Sequence, residues 1–445
     1  MLIPEKYQSR SVYHFTPIAN LPMILSHGLL SVGEQERMGI PVNTMVGNWI
    51  RRYRHELHLP IGPSTCLDDY VSFYFCKLSP MLLAIIGNKV EDEENIIHFE
   101  FPIDLMRTYP SIFTDAAAIP SSSPRFFEHG DELDQLNWDA IDSPSWRMPS
   151  ESLRNARLAE LLFYRKVSID HIQRIIVWDE LAAQKVKNLF HQYRTKAPKI
   201  ETDPGCYFID PHAKEPVPAI RGPGQIYREY LTTIHQLKGL SSPNPHGSFR
   251  NLEHLREALW MDMNSLKETS ELVGLETDNR AHVEDVGAHT YHVACQIRQT
   301  TEYQKSDERD QRLLEISAFL HDIGKGPKQR WTETGGKQQL DYNHPWRALP
   351  MLERIFREEI REFDWADAAL IIKLVAYHDL IGGIMVSGRK FEELLKVIID
   401  ERELDMLIAL SKADASAINP SWLRVAERAA LRQAVIRHWE KGIEL

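Results

Sequence analysis

The chain has 445 residues, too many for one hydrophobic core at a prior of ~150 residues per domain, so two or three domains are expected. Its 43% hydrophobic and 26% charged residues are the balance of a soluble globular protein, which excludes a disordered or fibrous chain. The net charge of −11 argues against a general polyanion binder and leaves room only for a local basic patch. Four cysteines, Cys66, Cys76, Cys206 and Cys295, lie far apart with no C-x-x-C, so neither a disulfide framework nor a zinc knuckle is expected. A reducing cytoplasm fits that usage. The start, residues 1–6, lacks the apolar core of a signal peptide. The most apolar run, residues 80–87, is far short of the ~20 residues a membrane span needs, and no membrane partner is expected.

Taken in order, Val12, Tyr13, His14, Phe15 and Thr16 have strand composition, and Pro17 and Asn20 punctuate it. Residues 21–25 read as a short helix stopped by Gly28. A His and a Thr at a strand end are placed to hydrogen-bond a ligand, although solvent-facing polar residues on a strand edge read the same way. Next comes a basic, aromatic stretch, Trp49, Arg51, Arg52, Tyr53, Arg54 and His55. Such a stretch either grips phosphates and stacks bases or forms an exposed arginine-rich helix face. Residues 70–75 are a β-rich run, Ser79-Pro80-Met81 opens the next element, and residues 96–101 read as an alternating strand. The Ser/Pro-rich segment 120–124 reads as a mobile loop. Residues 154–163, from Arg154 through Glu160 to Phe163, read as helical, and residues 172–178 as a closing strand.

Four pieces of this stretch occur together in a recognisable order. They are Tyr13-His14-Phe15-Thr16 with Asn20, residues 70–75 with Ser79-Pro80-Met81, Phe113-Thr114-Asp115, and Leu158-Ala159-Glu160. Across about residues 10–180 the chain thereby resembles the DarT family, NAD-dependent ADP-ribosyltransferases that modify a base in single-stranded DNA. Members are known as bacterial toxins and phage-defence effectors. The resemblance implies an α/β domain of mixed strands and helices, with His14, Thr16, Asn20, Tyr74 and Met81 as NAD-contacting positions. It implies Glu160 as the catalytic glutamate, exposed or half-exposed. It also implies an essential arginine from the cluster Arg51, Arg52 and Arg54, with Arg51 preferred and Arg52 and Arg54 left to nucleic acid. Residues 116–135, as a mobile segment, would lie where the acceptor strand is read. Two departures stand out: the family's Pro-Arg-Ser-Pro-Met is Lys77-Leu78-Ser79-Pro80-Met81 here, and Ser72 replaces the proline of its Tyr-Val-Pro-Phe.

From 190 to about 250, Pro198, Pro204, Gly205, Pro211, Pro216, Pro218, Gly222, Pro223, Gly224, Pro243 and Pro245 interrupt every period. The region 196–250 therefore reads as a linker with a short helix over 226–237, packed on one of its neighbours. The expected organisation is a domain over 1–195, this linker, and a domain over 251–445.

Beyond 250 the chain reads as helical. Leu313, Ile316, Leu320 and Ile323 recur at helical spacing, and Ser317 to Gly326 contains His321-Asp322-Ile323-Gly324-Lys325. A charge beside a buried face is costly unless paired or bound to metal. His289, His344, the pair His378-Asp379 and Asp414 project from other helical stretches, the way a bundle builds a metal site. The set resembles the His…His-Asp…Asp signature of HD-domain metal-dependent phosphohydrolases, an all-α bundle. That resemblance implies His289, His321, Asp322 and Asp414 as metal ligands, His344 and His378 as ligands of a second ion, and Lys325 near a phosphate. Mixed nitrogen and oxygen donors suit Mn, Fe, Ni, Zn or Mg. Residues 282–290 are similar to the HD domains appended to tRNA nucleotidyltransferases, which implies a phosphomonoester, cyclic phosphate or nucleotide substrate.

The chain is thus expected to be an NAD-dependent transferase acting on single-stranded nucleic acid, fused to an HD phosphohydrolase that processes a nucleotide or the ADP-ribosylated product. The alternative is an NAD or nucleic-acid sensor domain that controls an HD enzyme. A homo-oligomer is compatible with either.

Overall fold

The computed structural model describes residues 2–41, 45, 47–119, 122–145, 148–239, 244–278 and 284–443, and at Asn48, Trp49 and Ile443 the backbone alone. The Trp49 side chain, Pro120, Ser121, the turn residues 241–243, His282 and Val283 lie outside the described residues. The chain forms two compact units, Met1–Gly222 and Pro223–Leu445.

Strands of the first unit, in chain order, are β1 Ser11–Pro17, β2 Leu29–Leu30, β3 Tyr70–Tyr74, β4 Ile96–Pro102, β5 Ser111–Thr114, β6 Phe126–Phe127, β7 Glu160–Tyr164, β8 Lys166–Val167, β9 Arg174–Val177 and β10 Lys199–Thr202. Eight of them make one mixed sheet, ordered β10-β9-β4-β1-β3-β7-β5-β6, with β2 and β8 paired separately. Only β9 and β10 run parallel among these pairings. Phe73, Phe99, Phe101, Phe113 and Phe163 fill the core on one face of the sheet. The helix Glu180–Gln192 joins that core through Ala182, Ala183, Val186 and Phe190, and is opened by the Asp179 carboxylate accepting from the Ala182 N–H at 2.7 Å.

Three expectations change here. Residues 96–101 do not alternate: β4 is interior to the sheet and every one of these residues is buried. Interior strands covered on both faces read as continuous runs. The helix expected over 154–163 stops at Ala156, and Glu160 opens strand β7. A short apolar run such as Leu161-Leu162-Phe163 fits a buried strand as well as a buried helix turn, and here both faces of β7 are covered. The segment 116–135 is not a plain loop; its described part includes β6 and the helical turn Gly130–Gln135 with Leu133 buried.

The expected linker divides between the units. β10 extends the sheet beside β9, and the Tyr207 hydroxyl donates to the Ile96 carbonyl at 2.9 Å. The Phe208 N–H donates to the Glu93 carboxylate at 2.7 Å. Prolines break periodicity without preventing a segment from packing, and Cys206, Tyr207 and Phe208 are buried. The helix Pro223–Lys238 contributes Ile226 and Leu237 to the second core.

The second unit is helical. Its central helix, Glu308–Leu320, is buried on every side from Leu313 to Leu320, because the helices Leu252–Met261, Val286–Ile297 and Trp365–Ala376 all pack on it. The starts of the helices Glu308–Leu320 and Val286–Ile297 are fixed by carboxylates accepting a backbone N–H: Asp307 from Asp310 at 2.9 Å and Asp285 from Ala288 at 3.0 Å. Among the described residues no single helix is long and apolar enough to cross a membrane. The bent pair Trp365–Ala376 and Leu380–Ser387 passes by length and composition, and most of its first helix is buried in this core.

Candidate functional site

In the first unit β1, β3 and β7 lie side by side, and residues of β1 and β3 floor a cleft of about 460 Å³. His14, Thr16, Asn20, Ser72, Tyr74 and Met81 line it, so the five positions expected to contact NAD are brought together. The Asn20 amide donates to the Thr16 hydroxyl at 3.0 Å, and the His14 Nδ1–H donates to the Ser72 carbonyl at 2.9 Å. That bond fixes the His14 tautomer, and burial lowers its pKa, so the ring meets a ligand in its neutral form.

Register places Glu160 opposite Tyr74, at the start of β7. Its N–H donates to the Thr114 hydroxyl at 3.1 Å. Contrary to expectation the Glu160 side chain is fully buried, because β7 is flanked by β3 and β5. Its charge is met by Arg54, which donates from Nη1 to Oε1 and from Nη2 to Oε2 at 3.0 Å each. Arg54 Nη2 also donates to the Ser72 hydroxyl at 2.8 Å. Burial disfavours the charged guanidinium, the Glu160 carboxylate outweighs it, and the Arg54 pKa rises.

The structure brings Arg54, and not the Arg51 preferred from sequence, to Glu160. On the helix Asn48–Glu56, Arg51 pairs with Glu36 at 2.7 Å and Arg52 pairs with Glu56 at 81% exposure, while Arg54 alone of the three lines the cleft. From the last turn of that helix Arg54 reaches Ser72 of β3 and Glu160 of β7. Sequence reasoning also missed two partners. Ser72 had registered only as a departure from a proline, and Thr114 only as part of a motif.

In the second unit all six expected ligands converge. The nitrogens and oxygens of His289, His321 and Asp414 lie within 4.8 Å of one another, and so do those of Asp322, His344 and His378. Asp322 joins the two triads: Oδ2 is 3.3 Å from His321 Nε2, and Oδ1 is 3.5 Å from His344 Nε2. Backbone carbonyls orient the rings. His321 Nδ1 donates to Ala318 at 2.7 Å, His344 Nδ1 to Asp341 at 2.7 Å, and His378 Nδ1 to Val375 at 2.8 Å. Each Nε2 thereby turns its lone pair inward. Gly324 lets this centre close, since a Cβ there would overlap the His344 carbonyl oxygen.

The residues fit divalent ions on their own geometry. The Nε2 atoms of His344 and His378 face each other at 3.1 Å with both Nδ1 protons already donated, an arrangement that two lone pairs do not favour without a cation. His321 Nε2 and Asp322 Oδ1 are buried and make no hydrogen bond. Burial lowers His344 to a pKa of about 3 and lowers His378 too, which keeps both neutral as ligands. Burial opposes the Asp322 carboxylate, but Lys325 and His321 hold it well below the usual carboxylate range. Lys325 Nζ donates to Asp322 Oδ2 at 2.6 Å. Arg389, with its side chain 1% exposed, donates to Asp379 at 2.7 Å beside His378, a support invisible in the sequence.

Comparison with known proteins finds a family match in each unit. Residues 13–208 match the family described as ssDNA thymidine ADP-ribosyltransferase, DarT, and residues 286–401 match the HD domain. Asp414 lies beyond the second match, and the structure brings it in. The chain is 33% identical over 187 residues to a DNA ADP-ribosyl transferase of Thermus sp., an overlap of 41% of this chain and 88% of that one. It is 26% identical over 209 residues to a DNA ADP-ribosyl transferase of Escherichia coli, covering 42% of this chain and 89% of the relative. A DNA ADP-ribosyl transferase-DNA ADP-ribosyl glycohydrolase fusion protein of Thermosipho africanus is 28% identical over 203 residues, 45% of this chain and 50% of its own. Among solved structures, Thermus sp. 2.9 DarT in complex with ADP-ribosylated ssDNA is similar at 30% identity and a TM-score of 0.42, covering 47% of this chain and 99% of that one. This chain belongs to the DarT family through its first unit and carries an HD domain in its second.

Proposed function

We propose that the first unit transfers ADP-ribose from NAD to a base of single-stranded DNA, thymidine by the family's description. The second unit would hydrolyse a phosphoester of a nucleotide or of the ADP-ribosylated product. The observation that carries the first half is the Arg54–Glu160–Ser72 constellation at the wall of the cleft.

In the transfer, the bond from ribose C1′ to the nicotinamide nitrogen breaks and its electron pair stays with nicotinamide. A ring nitrogen of the base bonds C1′ and gives up its proton. Positive charge develops on the ribose, and the Glu160 carboxylate, held behind Arg54, is the anion that would stabilise it. Arg54 holds that carboxylate through two parallel charge-assisted bonds, which fixes its orientation before substrate arrives. Thr16 and Asn20 supply hydroxyl and amide groups for ribose or nicotinamide, and neutral His14 a ring nitrogen.

Divalent ions held by the two triads would supply charge that activates water and neutralises phosphate oxygens. The chain's own contribution is to orient the histidines through backbone carbonyls, to join the triads through Asp322, and to add the Lys325 cation at the rim. A link in which one unit opposes the other, as in a toxin fused to its antidote, fits this reading. So does a cytoplasmic location, where NAD is available and the cysteines stay reduced.

Labelled NAD with single-stranded DNA, RNA and protein tests the reading directly. Label on single-stranded DNA alone supports it. Label on protein or duplex RNA instead overturns the acceptor, and no consumption of NAD at all favours the sensor alternative.

A further inference from the structure

A third group of ligand-type side chains converges in the first unit. His55, on the last turn of the helix Asn48–Glu56, meets Cys66 and Asp68, and one donor atom of each lies within 4.8 Å of the others. The backbone builds this meeting. After the helix ends the chain folds back, His58 and Cys66 pair as an antiparallel bridge, and the Leu59 N–H donates to the Thr65 carbonyl at 2.9 Å. That return leaves the Cys66 sulfur 3.9 Å from the His55 carbonyl oxygen. His55 Nδ1 lies 2.8 Å from Asp68 Oδ2. Asp68 is anchored, at 9% exposure, while the His55 side chain is 66% exposed and Cys66 is half-buried. The group is rigid on one side and open to solvent on the other.

We propose that His55, Cys66 and Asp68 bind a divalent ion of the zinc class, leaving a fourth position for water. The donor set selects the ion: a thiolate excludes hard ions such as magnesium and calcium, and sulfur, nitrogen and oxygen together suit borderline-soft zinc or cobalt. The spacing of His55 and Asp68 is close to what such an ion demands. Tetrahedral bonds of ~2.0 Å to nitrogen and oxygen set those two atoms ~3.3 Å apart, and ~2.3 Å to sulfur sets the nitrogen and sulfur ~3.5 Å apart. The present His55–Asp68 separation needs to open by only about half an ångström as the ion replaces the proton between them, a change within rotation about the exposed His55 side chain. Binding releases the Cys66 thiol proton.

The ion would be felt at the cleft. Asp68 lines it, and its carboxylate acts on Arg54, the residue before His55. An ion that draws Asp68 to itself and pins the last helical turn restrains the guanidinium that holds Glu160. The inference does not depend on the transferase reading, because its readout is spectroscopic.

Cobalt(II) added to the full-length protein distinguishes this site from the helical one, whose six ligands include no cysteine. Thiolate-to-cobalt charge-transfer absorption in the near ultraviolet is expected, with about one more cobalt bound per chain than in Cys66→Ser. Cys66→Ser should abolish the band and His55→Ala should weaken cobalt binding at least tenfold. Asp322→Asn, which disables the helical centre, should keep the band, and so should Cys295→Ser. The proposal is overturned if wild type shows no thiolate band at cobalt concentrations that fill the His/Asp triads, or if the band survives Cys66→Ser.

Discussion

Arg54 covers both carboxylate oxygens of Glu160, at 3.0 Å each, and it is the guanidinium, not the carboxylate, that lines the cleft. The glutamate that the family motif marks for catalysis is thus held in place by a buried ion pair rather than presented on the surface. Two roles meet in one contact. Arg54 compensates a charge that the sheet has buried, and it stands where an incoming ribose or base would arrive.

That dual role separates two substitutions at one position. Glu160→Gln keeps the shape and one acceptor for Arg54, so the fold should hold while transfer falls on the order of 10²–10³-fold, the size of one lost electrostatic stabiliser. Glu160→Ala should also lose transfer, but it leaves Arg54 uncompensated at 15% exposure and should cost on the order of 3 kcal/mol. Thermal unfolding beside an NAD-dependent labelling assay reads both. Equal melting temperatures for the Gln and Ala variants would show that the pair carries no stability.

The choice among the three arginines can be settled the same way. Arg54→Lys retains charge but cannot bridge both oxygens of Glu160 and reach Ser72 as well, so transfer should drop at least a hundredfold. Arg51→Ala removes only a surface pair with Glu36 and should change stability by about 0.5 kcal/mol or less, with transfer retained. Ser72→Ala should lie between them. Loss of activity in Arg51→Ala with retention in Arg54→Lys would reverse the assignment.

How far the sequence carried these conclusions depended on the kind of signal. The six residues of the candidate metal centre were legible as a set because His and Asp are rare on buried helical faces, and because each sits at a helix end or face that periodicity locates. Glu160 was legible as a motif but not as a strand residue, since Leu161-Leu162-Phe163 satisfies either period once both faces are covered. Arg54 was not distinguishable from Arg51 because the two lie three residues apart on one helix, and which turn reaches the sheet is decided by the return of the chain through residues 57–69. The boundary at 222 was hidden by prolines. They mark interruptions in regular structure, and only the burial of Cys206, Tyr207 and Phe208 shows where the first unit ends.

Glu93 gives the first unit a stability contribution that should be lost as pH rises. Glu93 is buried at 1% exposure, and burial pushes its pKa up from 4.5 to about 8, against the single hydrogen bond it accepts from Phe208. An acid whose folded pKa is raised binds more protons folded than unfolded between those values, so its stability contribution is full below about pH 4.5 and is lost as pH rises through 8. The loss is on the order of 4 kcal/mol by pH 8. Glu93→Gln keeps the acceptor for Phe208 without the charge, and should flatten the pH dependence of unfolding between pH 5 and 9. Parallel pH profiles for wild type and variant would refute the assignment.

The metal centre gives the sharpest division of effects. Asp322 reaches both triads, so Asp322→Asn should remove bound metal and phosphoester hydrolysis together. His344→Ala removes one ligand from the triad of Asp322, His344 and His378 and leaves His289, His321 and Asp414 intact. Metal content should then fall by about half, with hydrolysis lost because water activation and phosphate neutralisation need both ions. Gly324→Ala should behave like Asp322→Asn without replacing any ligand, because its Cβ overlaps the His344 backbone and displaces that residue. Transfer of ADP-ribose should persist in all three, since each unit has its own core. Metal analysis of the purified protein, turnover of nucleotide and cyclic phosphoesters with added manganese or nickel, and the labelling assay decide the matter together. Wild type without bound metal and without turnover would make the helical unit a scaffold, and loss of transfer in Asp322→Asn would mean that the two units are coupled.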